Sequence, residues 1–148
     1  MPSGCLYSNL SNAASLLWHA LRALPGPLRR VNWAGFYLRN GPSDLILGPF
    51  QGRVACQTIS FSRGVCGRAA SMKKTQVVED VHAFPGHIAC DSTTRSEIVV
   101  PILLESGEVV GVIDIDCEEQ KGFTDEDRVA LEKIAALLAK GCDWRFLH

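Results

Sequence analysis

Apolar residues recur at Leu10, Ala14, Leu17, Leu21 and Leu24, a spacing of three and four that predicts an amphipathic helix over 9–24. Ser8 or Asn9 is placed to cap it. Pro25-Gly26-Pro27 ends it, because a residue before proline is pushed out of the α region. The pattern then loses its helical period. Apolar runs at 31–38, 45–50, 54–61 and 75–78 predict strands, with a turn at Asn40-Gly41-Pro42 and Gly52 between the second and third. Residues 64–70 predict a short helix whose glycines permit close packing. Residues 80–95 show no periodicity and are rich in Asp, Ser, Thr, Pro and Gly. They predict a loop of a length that tends to carry function. Runs at 98–104 and 108–116 flank Glu105-Ser106-Gly107 and predict a hairpin. Thr124 followed by Asp125-Glu126-Asp127 opens a last helix with a buried stripe of Leu131, Ile134, Ala135 and Leu138, ended by Gly141.

Helices at both ends and strands between them imply an α+β domain, with helices packed on a mainly antiparallel sheet. The 148 residues are 47% apolar and 21% charged, enough for one packed core and too apolar for wholesale disorder. The expectation is a single domain over residues 1–148 with its core at 9–140. Fifteen basic and 16 acidic residues leave a net charge of −1, which supplies no electrostatic reason to bind nucleic acid or an acidic membrane. No apolar run approaches a membrane span, and no signal peptide is evident. The expected location is cytoplasmic.

Candidate chemistry begins with acids in the hairpin. Asp114 and Asp116 interrupt an apolar strand and, two residues apart, share one face. A four-residue loop at 104–107 would set Glu97 directly opposite Asp114. Neither strand holds a lysine or arginine. Three neighbouring carboxylates would therefore raise one another's pKa. They mark either solvated strand ends or an anionic pocket for a cationic ligand. Trp33 and Tyr37, four apart in a strand, share a face and suit either a core or the wall of an apolar slot. Six cysteines are many for a reduced protein of this size. Cys90 lies in the predicted loop, Cys66 in the glycine-flanked helix turn and Cys56 on a strand. Cys5, Cys117 and Cys142 read as small buried apolar side chains. Zinc on Cys56, Cys66, Cys90 and His82 or His87 is a weak alternative, since no C-x-x-C pair is present.

Six blocks are more specific than composition. Asn32-Trp33-Ala34-Gly35-Phe36-Tyr37, Leu47-Gly48-Pro49-Phe50-Gln51-Gly52, Gly64-Val65-Cys66-Gly67, Phe84-Pro85-Gly86-His87-Ile88-Ala89-Cys90, Ser96-Glu97-Ile98-Val99-Val100-Pro101 and Gly111-Val112-Ile113-Asp114-Ile115-Asp116 resemble, in order, the free methionine-(R)-sulfoxide reductases. These are small GAF-domain enzymes, and the likeness covers roughly 9–140. It implies a six-stranded antiparallel sheet flanked by helices, usually in a homodimer. By the same resemblance Cys90 attacks the sulfoxide sulfur, Cys66 resolves the product as a disulfide, and Cys56 serves as a further resolving thiol. Glu97, Asp114 and Asp116 bind the substrate, with Glu97 or Asp114 supplying a proton, while Trp33 and Tyr37 enclose its methyl group. Thioredoxin is the implied reductant, with no metal and no organic cofactor. The family's additional helical segment ahead of the Asn9 region is a departure expected to affect dimer contacts. A GAF sensor that only binds a ligand, and a redox-sensing interaction protein, are the competing readings.

Overall fold

The runs at 31–38 and 108–116 become neighbouring strands at the centre of one sheet. The computed structural model describes residues 4–87 and 90–147, so Ile88 and Ala89 of the cysteine block lie outside the described residues. Its elements are α1 (Leu6–Arg22), β1 (Val31–Asn40), β2 (Asp44–Gly52), β3 (Thr58–Ser60), α2 (Gly64–Met72), β4 (Gln76–Val78), β5 (Ser96–Leu103), β6 (Val109–Cys117) and α3 (Asp125–Gly141). The strands form a six-stranded sheet in the order β3-β2-β1-β6-β5-β4, every neighbouring pair antiparallel. The expected α+β class is what forms.

Period-2 alternation divides the sheet into two unlike faces. On one, Phe36, Ile98, Ile113 and Ile115 pack beneath Leu10 and Leu17 of α1 and Leu131 and Ala135 of α3. On the other, Trp33, Tyr37, Val99 and Val112 pack with Val65, Ala69 and Ala70 of α2. The second face also carries the acids. A Cβ on Gly67 would strike the Ser60 and Phe61 carbonyls, so glycine lets α2 lie hard against the end of β3.

Several boundaries differ from expectation. The first helix starts at Leu6 with Cys5 at the N-cap and no side-chain cap. Asn9 is inside it, and its amide instead donates to the Gly141 carbonyl at 3.3 Å, tying α1 to the end of α3. The helix stops at Arg22, leaving Leu24 exposed. Cys117 and Cys142 are buried as expected, but Cys5 is exposed, because it stands at the N-cap, outside the buried stripe of α1. The strand expected over 54–61 shrinks to Thr58–Ser60, and Val54 is 88% exposed. Side chains of β1 hold its first half away from the sheet, as described below. Thr124 does cap α3, forming a reciprocal capping box with Asp127.

The hairpin register is also corrected. Glu97 pairs with Asp116, and Val99 with Asp114. Leu103 pairs with Val109, so the loop is one residue longer than assumed, and a bulge between Ile102 and Leu103 adds a second offset. Two one-residue offsets restore the parity that one alone would have reversed. The acids therefore stay on one face despite the shifted partners.

Candidate active site

Three strands contribute one row of side chains across the α2 face. Asp116 of β6 has Glu97 of β5 on one side and Trp33 of β1 on the other. In the next row Asp114 lies between Val99 and Gly35. Glu97 and Asp114 are only 7% and 5% exposed. Above them α2 lowers Cys66, buried, so that its sulfur and oxygens of Glu97 and Asp114 all fall within 4.8 Å of one another. Among the described residues no lysine or arginine forms an ion pair with these acids.

Electrostatics follow from that geometry. Burial, then the Asp114 charge, then the Asp116 charge raise the Glu97 carboxyl well above its ordinary range. Burial also raises Asp116 well above its ordinary range, with Asp114 adding to it. Asp114 is raised less, since hydrogen bonds from Glu97 and Cys66 oppose the burial. Burial and the same carboxylates push the Cys66 thiol up, away from thiolate. One oxygen each of Asp114 and Asp116 is buried without a hydrogen-bond partner. Such atoms are costly unless a donor arrives. The cluster therefore holds protons tightly, and its unpartnered oxygens are able to accept hydrogen bonds from a donor.

An aromatic wall stands beside it. Trp33 stacks on Tyr37 at 5.8 Å between ring centroids and on Phe50 at 5.1 Å. Phe50 can reach Trp33 because Gly35, its strand partner, has no side chain; a Cβ there would collide with Phe50. Both polar tips of the wall face the same segment. The Trp33 indole donates to the Arg53 carbonyl at 3.1 Å, and the Tyr37 hydroxyl donates to the Cys56 carbonyl at 2.9 Å. These bonds hold residues 53–56 over the acids instead of letting them continue β3.

Cys56, so placed, is joined to Cys90 by a disulfide with Cα atoms 5.8 Å apart. Of the two resolving thiols the resemblance implies, the bridge takes the one named as further, Cys56, and leaves Cys66 free. Cys66 is fixed within α2, whereas Cys56 sits on an irregular, part-exposed segment. In this state Cys56 and Cys90 are unavailable as zinc ligands. Cys66, Glu97 and Asp114 are the one group able to hold an ion among the described residues.

Two further residues belong to the site and carried no separate signal as isolated letters. The Asn32 amide donates to Asp91 at 3.2 Å, Thr93 at 3.3 Å and Thr94 at 3.0 Å, tethering the stretch after Cys90 to β1. His87, read from sequence only as an optional zinc ligand, lines the cleft with its Nε2 3.9 Å from Oε1 of Glu97. Its place three residues before Cys90 was the available clue. The cleft, about 540 Å³ including its open mouth, is lined by Trp33, Tyr37, Cys66, Cys90, Glu97, Asp114 and Asp116. All the site residues expected from the sequence except Cys56 line it directly, and Cys56 adjoins it through the disulfide.

Residues 11–141 match the family model described as a GAF domain. The free methionine-R-sulfoxide reductase of Saccharomyces cerevisiae is 57% identical over 136 residues, covering 90% of this chain and 74% of that protein. The protein of the same name from Escherichia coli is 44% identical over 133 residues, covering 90% and 75%. The X-ray structure of free methionine-R-sulfoxide reductase from Neisseria meningitidis in complex with its substrate superposes with a TM-score of 0.82 at 44% identity. It covers 91% of this chain and 76% of that one.

Proposed function

The chain belongs to the GAF-domain free methionine-R-sulfoxide reductases, and from that membership we propose that it reduces free methionine (R)-sulfoxide to methionine with electrons from its own thiols. The observation that carries the reading is an acidic cluster, unpaired with lysine or arginine among the described residues, in a cleft whose Cys90 is disulfide-bonded to the adjoining Cys56. The substrate's ammonium satisfies the unpartnered oxygens of Asp114 and Asp116. Its methyl group lies against Trp33 and Tyr37, and backbone amides of the Cys90 loop meet its carboxylate.

The reduced Cys90 thiolate attacks the sulfoxide sulfur while a protonated carboxyl gives its proton to the oxygen. Glu97 suits that role, because burial and the charges of both Asp114 and Asp116 raise its carboxyl and keep it protonated. The S–O bond of the substrate breaks as the oxygen passes to Cys90, leaving methionine and a sulfenic acid. The Cys56 thiol displaces that oxygen as water and forms the Cys56–Cys90 disulfide. An external dithiol, thioredoxin in a cytoplasmic setting, reduces the bridge. Cys66 acts from within the cluster, as a neutral thiol donating to Asp114. The enzyme works as a homodimer without metal or organic cofactor.

A ligand-binding GAF sensor would need no thiol pair beside its pocket. Incubation with dithiothreitol and free methionine-(R)-sulfoxide, followed by measurement of methionine, tests the reading. Binding without methionine release would support the sensor instead.

A further inference from the structure

Resting on that reading, we propose that His87 is a relay residue, which returns to Glu97 in each turnover the proton that Glu97 gives to the sulfoxide oxygen. The need for a relay follows from counting protons. After the first step Glu97 is a buried carboxylate beside Asp114 and Asp116, its least favourable state. It must regain a proton before the next substrate can react.

The groups facing Glu97 differ in their ability to supply one. Asp114 and Asp116 on β6 are raised by burial themselves and are engaged by the substrate amine. Cys66 on α2 would become a buried thiolate among carboxylates. Tyr37 on β1 is raised and committed to the Cys56 carbonyl. Asp91, beyond Cys90, is lowered by Thr93 and is ionised at neutral pH. Cys90 carries no titratable thiol between the sulfenic acid and reduction of its bridge to Cys56. Among the described residues lining the cleft, His87, from the segment between β4 and β5, is the remaining titratable group, and imidazole exchanges protons near neutrality.

Its geometry fits delivery. Nε2 of His87 stands 3.9 Å from Oε1 of Glu97, and the side chain is 14% exposed, so it touches both the buried acid and the solvent. The gap is longer than a hydrogen bond and closes with a small ring movement or one bridging water. No standing ion pair occupies the contact: burial, then the neighbouring His82, lower His87, while burial raises Glu97. Both shifts favour the neutral pair. Ionisation of Glu97 changes this balance, because a new carboxylate beside the imidazole attracts a proton onto it from solvent. A proton from solvent adds to the other ring nitrogen as the Nε2 proton passes to Glu97, and exchange of ring protons with solvent then restores the Nε2–H tautomer. No electrons move, and the pair returns to its neutral state.

The test compares wild type with His87→Gln and His87→Ala, with dithiothreitol raised until the rate no longer depends on it. Methionine released in the first turnover should appear at the wild-type rate in both variants, because Glu97 begins protonated. Steady-state kcat should fall by about a hundredfold, the lower end of proton-transfer contributions, with KM changed less than about threefold. Added imidazole should restore kcat of His87→Ala in proportion to its protonated concentration, which a purely structural role would not produce. An equal loss in the first turnover, an unchanged kcat, or absence of imidazole rescue would each overturn the relay. A wild-type protein that releases no methionine would overturn the reductase reading itself, a result distinct from unimpaired His87 variants in an active enzyme.

Discussion

Among single residues, the cysteines divide by environment more than by position in the sequence. Cys90 is exposed and bonded to Cys56, whereas Cys66 is buried and held neutral by the acids around it. Cys90→Ser should abolish methionine formation, since an alcohol of far higher pKa cannot replace the thiolate. Cys56→Ser should release about one methionine per active site with thioredoxin and then stall, while Cys66→Ser should keep cycling. Reversal of the last two phenotypes in a rapid-quench assay would transfer the resolving role to Cys66. The acids lead to a prediction about pH. Glu97 and Asp116 bind protons more tightly folded than unfolded. Their stabilising contribution is complete below the ordinary carboxyl range near pH 4 and is lost as pH rises through the raised folded values. Asp116→Asn should therefore raise the melting temperature of the ligand-free protein at pH 7–8 and flatten its decline with pH. A melting curve series in which wild type and variant fall in parallel would contradict this.

At the scale of elements, β1 sets both halves of the site. Its Trp33 and Tyr37 form the wall, and their polar tips fix the segment that carries Cys56. Tyr37→Phe should keep the ring stack but free the Cys56 carbonyl, at a cost of about 1 kcal/mol for the lost hydrogen bond. Disulfide formation after the first turnover should slow while substrate KM changes little, as stopped-flow tryptophan fluorescence can report. Gly35→Ala should push Phe50 off Trp33 and cost roughly 1–3 kcal/mol from overpacking, read by chemical denaturation. The segment 53–56 explains why an apolar run at 54–61 yields so short a strand. Its pattern suits β structure, but side-chain donors from β1 hold its backbone elsewhere.

For the molecule as a whole, the bridge and the acidic cluster tie stability and specificity to the same cleft. Cys56 and Cys90 are 34 residues apart. Closing that loop restrains the unfolded chain by about 3–4 kcal/mol in the entropic model. Reduction should lower the melting temperature by roughly 10 °C for a chain of this size, measurable by calorimetry with and without dithiothreitol. Specificity should follow the cation. N-acetylmethionine sulfoxide offers no ammonium to Asp114 and Asp116, so its kcat/KM should fall by at least a hundredfold, the effect of leaving buried carboxylates unpaired. Equal efficiency on both substrates would remove the acids from amine recognition.

What the sequence determined alone is local and periodic. The stripe of Leu10, Ala14 and Leu17, the Thr124 cap, and the shared face of Asp114 and Asp116 follow from the 3.6- and 2-residue periods. The six blocks carried the family and, with it, the residues that line the cleft. Tertiary structure decided the pairings between distant segments. Glu97 faces Asp116 because a longer turn and a bulge displace the hairpin by two residues, neither of which periodicity records. Cys90 meets Cys56 because Tyr37 and Trp33 hold an irregular segment over the acids while Cys66 is fixed in a packed helix. His87 reaches Glu97 only because the folded chain brings both side chains to one cleft. Each of these depends on a contact between residues remote in the chain, and the physical information for it lies in how elements pack rather than in the order of letters within any one of them.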